Sequence, residues 1–169
     1  ILLVVKTLYF IAKHPSVNFV YTTALRGFYS QEAQDLFLAG IIFPLLLQEK
    51  NPWIVDVGCN HPTKFSNSYF FEKFFSCRVF AVDALSHYSE EWAALRPKAL
   101  FKNYVIGASE GTSKINISHG GIDGDMLSHV QDADAKSSMF SNIKFTTREV
   151  KRIRLDKLLL KNSINKVLV

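Results

Sequence analysis

Two acidic residues close the two most strand-like segments of the chain. Asp56 and Gly58 end the apolar run over residues 53–58, and Asp83 ends the run over residues 78–83. In an open parallel sheet, ligands bind beyond the carboxyl ends of the strands, so we expect these residues at one ligand-binding edge. Gly58 lacks a Cβ and lets the backbone approach a ligand. Asp83 can accept hydrogen bonds from both hydroxyls of a ribose, each typically contributing about 1.5–3 kcal/mol.

The spacing of the two strand tips suits a nucleoside cofactor that has no pyrophosphate group. One strand–helix–strand unit separates them, but neither Gly-x-Gly-x-x-Gly nor Gly-x-x-x-x-Gly-Lys-Ser/Thr occurs in the sequence. S-adenosylmethionine is one ligand of this kind. Two simpler interpretations stay open at this point. An Asp at a strand end is often a turn former or helix cap, and Gly is common in any strand-to-helix turn.

Other chemistries find less support in the sequence. His61, in the turn after the first strand, is the candidate general base, although a histidine next to a proline in such a turn is more often a surface residue. The Asp123-Gly-Asp125 stretch resembles part of a calcium loop but lacks the terminal Glu. The five histidines lack metal-ligand spacing, and no Gly-x-Ser-x-Gly elbow occurs. Cys59 and Cys77 are too few for a four-thiolate zinc site and indicate a reduced pair.

Size and composition are those of one compact domain. The chain has 169 residues, of which 48% are hydrophobic and 21% charged, and its 14 Phe residues can form an aromatic core. The net charge of +5 is a mild bias. The densest basic stretch, residues 151–154, indicates one solvated face rather than a nucleic-acid patch. An anionic substrate or a membrane surface is compatible with this charge but not indicated by it.

Alternating strand and helix patterns predict how the candidate residues are positioned. We expect strands over residues 53–58, 78–83 and 100–106, with helices over residues 66–75 and 86–95 between them. This order implies right-handed crossovers and a parallel sheet in an α/β fold.

A longer helix is predicted before the first strand, over residues 30–48. Ser30 is its expected N-cap, and Asn51-Pro52 ends the pattern. The apolar spacing predicts that one face is buried. That face comprises Ala33, Leu36, Phe37, Gly40, Ile41 and Leu45.

The second half of the chain does not follow the alternation of strands and helices. Residues 107–150 are rich in Gly and short alternating stretches, which indicates a loop or β insertion. A short strand is predicted over residues 149–155 and a helical turn over residues 155–160. A further buried strand is expected to begin at Lys166.

Both ends of the sequence suggest a piece of a longer protein. The chain opens at Ile1 and stops at Val169 within an apolar run. Residues 1–12 are apolar but shorter than the roughly 20 residues that span a bilayer, so a buried helix is expected there. We place an N-terminal segment at residues 1–28 and one domain at residues 29–169. A cytoplasmic location is expected, and an anchor upstream of the first residue is left open.

Several stretches, in their order along the chain, resemble the FkbM-type methyltransferases. The longest, residues 55–73, reads Val-Asp-Val-Gly-Cys-Asn-His-Pro-Thr-Lys-Phe-Ser-Asn-Ser-Tyr-Phe-Phe-Glu-Lys. Residues 29–38 are similar to the family's leading Tyr-Ser-Gln-x-x-x-Asp helix, residues 80–84 to its second strand, and residues 150–159 to a strand leading into a Leu-Asp-x-Leu-Leu turn. The resemblance covers about residues 29–169. It implies a Rossmann-like, doubly wound, mostly parallel sheet with flanking helices, truncated after the start of the fourth core strand.

The resemblance also implies site residues. Asp56 and Gly58 would form the first methyltransferase motif, near the methionine part of the cofactor. Asn60 and Pro62 stand where class I enzymes generally have glycines. Asp83 would hold the ribose hydroxyls. Further cofactor contacts are implied at Ala84, Ile106 and Gly107, which would border the adenine, and at Gln31 and Asp35, which would close the pocket.

The implied reaction is methyl transfer from the sulfonium of S-adenosylmethionine to an oxygen. The expected acceptor is a hydroxyl of a sugar or a similar small metabolite. The sequence stops at Val169, so the family's Asp-x-Glu-Gly-type motif after the fourth strand is absent. The alternative is a non-catalytic or degenerate binding domain. A nicotinamide-dependent oxidoreductase is disfavoured by the missing glycine fingerprint.

Overall fold

The computed structural model describes residues 27–119, 125–131 and 144–169. The helix predicted near the N-terminus and most of the Gly-rich part of the insertion, including Asp123, lie outside the described residues. Within them the chain forms a mixed α/β fold with two sheets, one of three strands and one of four.

The three-stranded sheet is parallel, as the sequence predicts. It contains β1 (Trp53–Val57), β2 (Arg78–Asp83) and β3 (Leu100–Asn103), in the order β1-β2-β3. All residues of β2 except the first are buried, because this strand has a parallel neighbour on each side. That position explains its continuous apolar sequence, which is typical of central parallel strands.

Helices precede and connect these strands. They are α1 (Gln34–Gln48), α2 (Tyr69–Phe75) and α3 (Ser89–Leu95), and α4 (Leu155–Lys161) follows later in the chain. The first three begin about three residues after the predicted starts. The N-cap of α1 is Ala33 rather than the predicted Ser30, although the hydroxyl of Ser30 accepts the backbone N–H of Asp35. The N-cap of α2 is Ser68, and the hydroxyl of Ser66 accepts the N–H of Tyr69.

The predicted buried face of α1 is wrong. Ala39, Ile42 and Leu46 are buried, whereas Phe37 is 71% exposed and Ile41 is 61% exposed. Two further members of the predicted face, Ala33 and Leu45, are also not buried. The orientation follows from the completely buried Asp35, whose face continues at the helical spacings of Ala39, Ile42 and Leu46. Apolar residues occur on all sides of this helix, so their spacing alone could not predict which face is buried.

The second sheet begins where the predicted strand 100–106 breaks. Tyr104 interrupts it and donates its N–H to the carbonyl of Asp83 at 3.0 Å. The chain then continues as β4 (Val105–Ile106), followed by β5 (Gly111–Ser118), β6 (His129–Val130) and β7 (Phe145–Ile153). The order is β4-β7-β5-β6, with β4 parallel to β7 and the other pairs antiparallel. The predicted insertion is therefore rich in β structure, and the short strand expected at 149–155 is the end of the longer β7.

The last described residues run beside β1. Leu168 donates its N–H to the carbonyl of Trp53 at 2.8 Å, and Val55 donates its N–H to the carbonyl of Val169 at 2.6 Å. The chain here runs in the same direction as β1, on the edge opposite β2. The strand expected from residue 166 is thus present only as these two hydrogen bonds and not as a regular strand.

Both faces of the parallel sheet are covered. Val79 and Ala81 pack on one face with residues of α1, α2 and α3, including Trp92, whose ring stacks on Phe101 at 5.4 Å between centroids. Phe80 packs on the other face with residues of β7 and α4. None of the helices in the described ranges combines the length and the apolar character that crossing a membrane requires.

A matched pair of Phe substitutions tests this core. Phe80 is completely buried and Phe37 is 71% exposed. Phe80→Ala is expected to lower the free energy of unfolding by about 3–5 kcal/mol, because it leaves a cavity in the core. Phe37→Ala is expected to change it by less than about 0.5 kcal/mol. Urea denaturation measures both, and similar losses in the two variants would contradict the placement of β2 at the centre.

Candidate functional site

A cleft of about 380 Å³ opens at the carboxyl edge of β1 and β2. Its size lies within the range of small-molecule sites. Six of the nine residues predicted to contact a cofactor line it. They are Gln31, Gly58, Asn60, Asp83, Ala84 and Ile106. The structure therefore brings the two predicted strand tips, the leading segment and the end of β4 together around one cavity.

Asp83 ends β2 and is only 8% exposed. Its Oδ2 atom accepts the backbone N–H of Asn60 at 2.7 Å, and its Oδ1 atom accepts that of Leu85 at 2.8 Å. Burial raises the pKa of this carboxyl, and the two N–H groups act against that shift. The backbone N–H of Ala84 also interacts with this carboxylate. An ionised carboxylate offers about four lone-pair sites, so it retains acceptor capacity for a ligand.

The turn after β1 is folded tightly onto β2. Gly58 adopts a positive φ of 76°, and both it and Cys59 donate their N–H groups to the carbonyl of Val82, at 2.8 and 3.3 Å. Asn60 also has a positive φ and accepts the indole N–H of Trp92 at its carbonyl, at 2.8 Å. The first three backbone donors of this turn are therefore bound within the protein.

Asp56 does not line the cleft. It lies on the same face of β1 as Ile54, toward the helices, and is 6% exposed. Burial raises its pKa, whereas hydrogen bonding to Ser68 and the charge of Arg96 lower it. Its Oδ2 atom has no hydrogen-bond partner among the described residues. The two acids predicted at one edge thus have different surroundings, and only Asp83 faces the cavity.

Arg96 does not line the cleft but stabilises the segment that follows the turn after β1. It is 1% exposed, and its Nε atom donates to Glu72 at 2.7 Å. One terminal nitrogen donates to the carbonyl of Pro62 at 3.0 Å and lies 3.2 and 3.1 Å from the hydroxyls of Ser66 and Ser68. This single guanidinium therefore joins the segment between β1 and α2 to the end of α3.

Two further predicted residues lie outside the cleft. Asp35 binds the N–H groups of Tyr29 and Ser30, at 2.8 and 3.3 Å, and so fixes the start of α1. Gly107 packs against Arg152, since a Cβ there would lie 2.7 Å from the Cδ atom of that side chain. Close packing explains this glycine without a ligand.

His61 is also outside the cleft, and both of its ring nitrogens are engaged. Nδ1 accepts the N–H groups of Thr63 and Lys64 at 3.1 Å each, and Nε2 lies 2.9 Å from a carboxylate oxygen of Glu91. Burial lowers the pKa of the ring, and the Glu91 carboxylate acts against that shift. With Nδ1 accepting, the free lone pair that a general base needs is already used. The geometry therefore argues against a general base, and the surface position expected for this turn histidine is wrong, because His61 is 6% exposed.

One wall of the cleft is formed by residues that were not predicted from the sequence. Tyr104 lines it between β3 and β4, and β6 reaches it because Val130 pairs with Ile115 of β5. The unforeseen lining residues also include Phe65, Asn67, Asp125, Met126, Ser128 and His129. The Gly-rich, alternating pattern of the sequence predicts the insertion. It does not predict which part of the cleft the insertion contacts.

No metal centre is found in the part of the chain that the structure describes. Residues 27–119, 125–131 and 144–169 contain no group of three or more His, Cys, Asp or Glu side chains that could hold an ion.

The two thiols are buried and free, and their reactivity can be predicted. Burial raises the pKa of Cys77 to about 12 and that of Cys59 well above its ordinary range, where Asp56 and Asp83 raise it further. Because the thiolate is the reactive form, both should react with iodoacetamide at least about 100-fold more slowly in the folded protein than in guanidinium chloride. Mass spectrometry of timed samples measures this, and fast modification of Cys59 in the folded protein would contradict the packing of the turn.

Comparison with known proteins identifies no relative of this chain. No family model, curated protein or solved structure matches the sequence. The function proposed for the cleft therefore rests on its own residues and their contacts.

Proposed function

We propose that this chain is an S-adenosylmethionine-dependent methyltransferase domain with a Rossmann-like fold, and that the cofactor binds in the cleft at the tips of β1 and β2. The observation that carries the proposal is the position of Asp83. It is a buried carboxylate at the end of the central strand, it lines a cavity of about 380 Å³, and it retains acceptor capacity for ribose hydroxyls.

The strand order supports a cofactor at this place. The chain builds β1, β2 and β3 outward in one direction and then returns, so that Leu168 and Val169 lie on the other side of β1. Such a reversal is the topological switch point at which open α/β sheets bind ligands. Helices on both faces of the sheet agree with a doubly wound arrangement.

The turn after β1 favours a cofactor without a pyrophosphate. Dinucleotide and nucleotide sites hold phosphate oxygens with free backbone N–H groups at this turn. Here Gly58 and Cys59 donate to Val82, and Asn60 donates to Asp83. Because these donors are already bound, the turn offers little to a phosphate, and S-adenosylmethionine fits better than NAD.

The opposite side of the cleft is suited to a flat, apolar group such as adenine. Ala84, Leu85, Val105 and Ile106 line it, and β6 closes it through Val130. Burial of apolar area contributes about 25 cal/mol per Å². The cleft thus provides the carboxylate of Asp83 for the ribose hydroxyls and an apolar wall for the base, as an adenosine moiety requires.

Methyl transfer needs alignment more than acid–base chemistry. When bound, the cofactor supplies an electrophilic methyl group on a sulfonium. The chain binds and orients the adenosine part through Asp83 and the apolar wall, and alignment of acceptor oxygen, methyl carbon and sulfur provides most of the rate. The proposed acceptor is a hydroxyl of a sugar or a similar small metabolite. No residue is assigned as general base.

Replacing one carboxylate tests the proposal. Asp83→Asn keeps the size of the side chain but removes its charge, so the affinity for S-adenosylmethionine should fall at least about tenfold, as expected for the loss of one charge-assisted hydrogen bond. The matched control is Asp156→Asn, which changes an exposed Asp on α4. Titration calorimetry measures both variants, with thermal melting to verify folding.

A second variant leaves the carboxylate intact. Ala84→Leu reduces the space in the cleft and should also weaken binding. Tighter binding of NAD than of S-adenosylmethionine would favour the oxidoreductase, and binding of neither would favour a non-catalytic domain. Equal affinities in wild type and both cleft variants would contradict the proposed site.

The affinity should also depend on pH. Ribose hydroxyls donate to the ionised carboxylate, so protonation of Asp83 removes the acceptor. Because burial raises its pKa, the affinity should begin to fall on acidification at a pH above the value of about 4 that is typical of Asp. Asp83→Asn should bind weakly with a nearly flat profile over the same range. Wild-type affinity that stays constant between neutrality and about pH 4 would contradict the role of this carboxylate.

A further inference from the structure

A second cavity of about 410 Å³ adjoins the cofactor cleft. Asp125 lines both cavities, so the two share a wall at this residue. On its other sides the second cavity is formed by the β2–α3 loop at His87, by the end of β5 at Ser118, and by β7 at Thr146 and Arg148. Its volume is sufficient for a sugar-sized molecule.

The acidic group in this shared wall is hydrogen-bonded within the protein. The Oδ2 atom of Asp125 accepts the hydroxyl proton of Tyr88 at 2.7 Å and lies 2.8 Å from the Nε2 atom of His87. Asp125 is 8% exposed. Its Oδ2 atom is therefore already bound by partners within the protein.

The remaining polar groups of the second cavity are mainly hydrogen-bond donors. Arg148 is exposed and has no acidic partner among the described residues. A guanidinium can bind a phosphate or carboxylate through two parallel hydrogen bonds. Ser118 adds a hydroxyl, whereas the Nε2 atom of His119 and the hydroxyl of Thr146 are hydrogen-bonded to each other.

We infer that the second cavity binds an anionic group of the methyl acceptor, a phosphate or a carboxylate on a sugar-like molecule. The inference rests on the proposed methyltransferase function for the identity of the ligand as acceptor. Arg148 is the main charge that recognises the anion, and the wall at Asp125 places the bound molecule next to the cofactor cleft. Lysine would not replace this arginine fully, because only the guanidinium makes two parallel bonds.

The test compares charged and neutral forms of one sugar. Glucose 6-phosphate, glucuronate and glucose are titrated into the full chain, and binding is measured by calorimetry. At least one of the two charged sugars should bind about tenfold or more tightly than glucose, and which one does so distinguishes phosphate from carboxylate. Arg148→Gln should remove most of this difference. Equal affinities for all three sugars would overturn the inference.

A control on the same strand separates local recognition from net charge. Lys151 is exposed on the opposite face of β7, so Lys151→Gln removes one positive charge without touching the cavity. It should leave the affinity for the charged sugar within about twofold, whereas Arg148→Gln lowers it about tenfold. Equal losses in the two variants would overturn the subsite.

Cofactor titrations distinguish this inference from the proposed function. Arg148→Gln should leave the affinity for S-adenosylmethionine unchanged, and a large loss would overturn the inference, because the arginine would then hold the cofactor's own carboxylate. Binding of a charged sugar that depends on Arg148, without any binding of S-adenosylmethionine, would support an anion subsite and contradict the methyltransferase. The reverse result would support the cofactor site and contradict the subsite.

Discussion

The structure of the candidate site depends on the buried carboxylate of Asp83. It accepts one backbone N–H from the turn after β1 and one from the segment after β2, and so ties two strand tips that are far apart in sequence. The turn reinforces this link because Gly58 and Cys59 donate to Val82. A buried carboxylate without these donors would be strongly unfavourable. The same interactions that fix the strand tips therefore also fix the position of the carboxylate that lines the cleft.

A second buried charge, that of Arg96, stabilises the segment that follows the turn after β1. Arg96 holds the carbonyl of Pro62 and pairs with Glu72, so the segment that follows the turn cannot move independently of α2 and α3. Asp56 lies behind the turn, where the charge of Arg96 partly offsets the effect of burial on its pKa. The site is thus built in two layers, with Asp83 facing the cavity and the Arg96 cluster holding the loop in place.

The sequence predicts the layered parallel sheet well but the site only in part. The buried run of β2 is readable because a central strand needs apolar residues on both faces, whereas the buried face of α1 is not, because apolar residues surround that helix. Alternation along β1 places Asp56 with Ile54, yet the sequence does not say which side faces the cavity. The wall formed by Asp125 and β6 depends on long-range pairing that local patterns do not encode.

The most direct test of the site uses the amide groups that bind Asp83. Amide proton–nitrogen correlation spectra, recorded during titration with S-adenosylmethionine, report on the N–H groups of Asn60 and Leu85, which donate to this carboxylate. A ribose bound by Asp83 should shift both signals saturably and leave that of Leu158, buried on α4, unchanged. Unchanged Asn60 and Leu85 signals at saturating cofactor would contradict a ribose site at these strand tips.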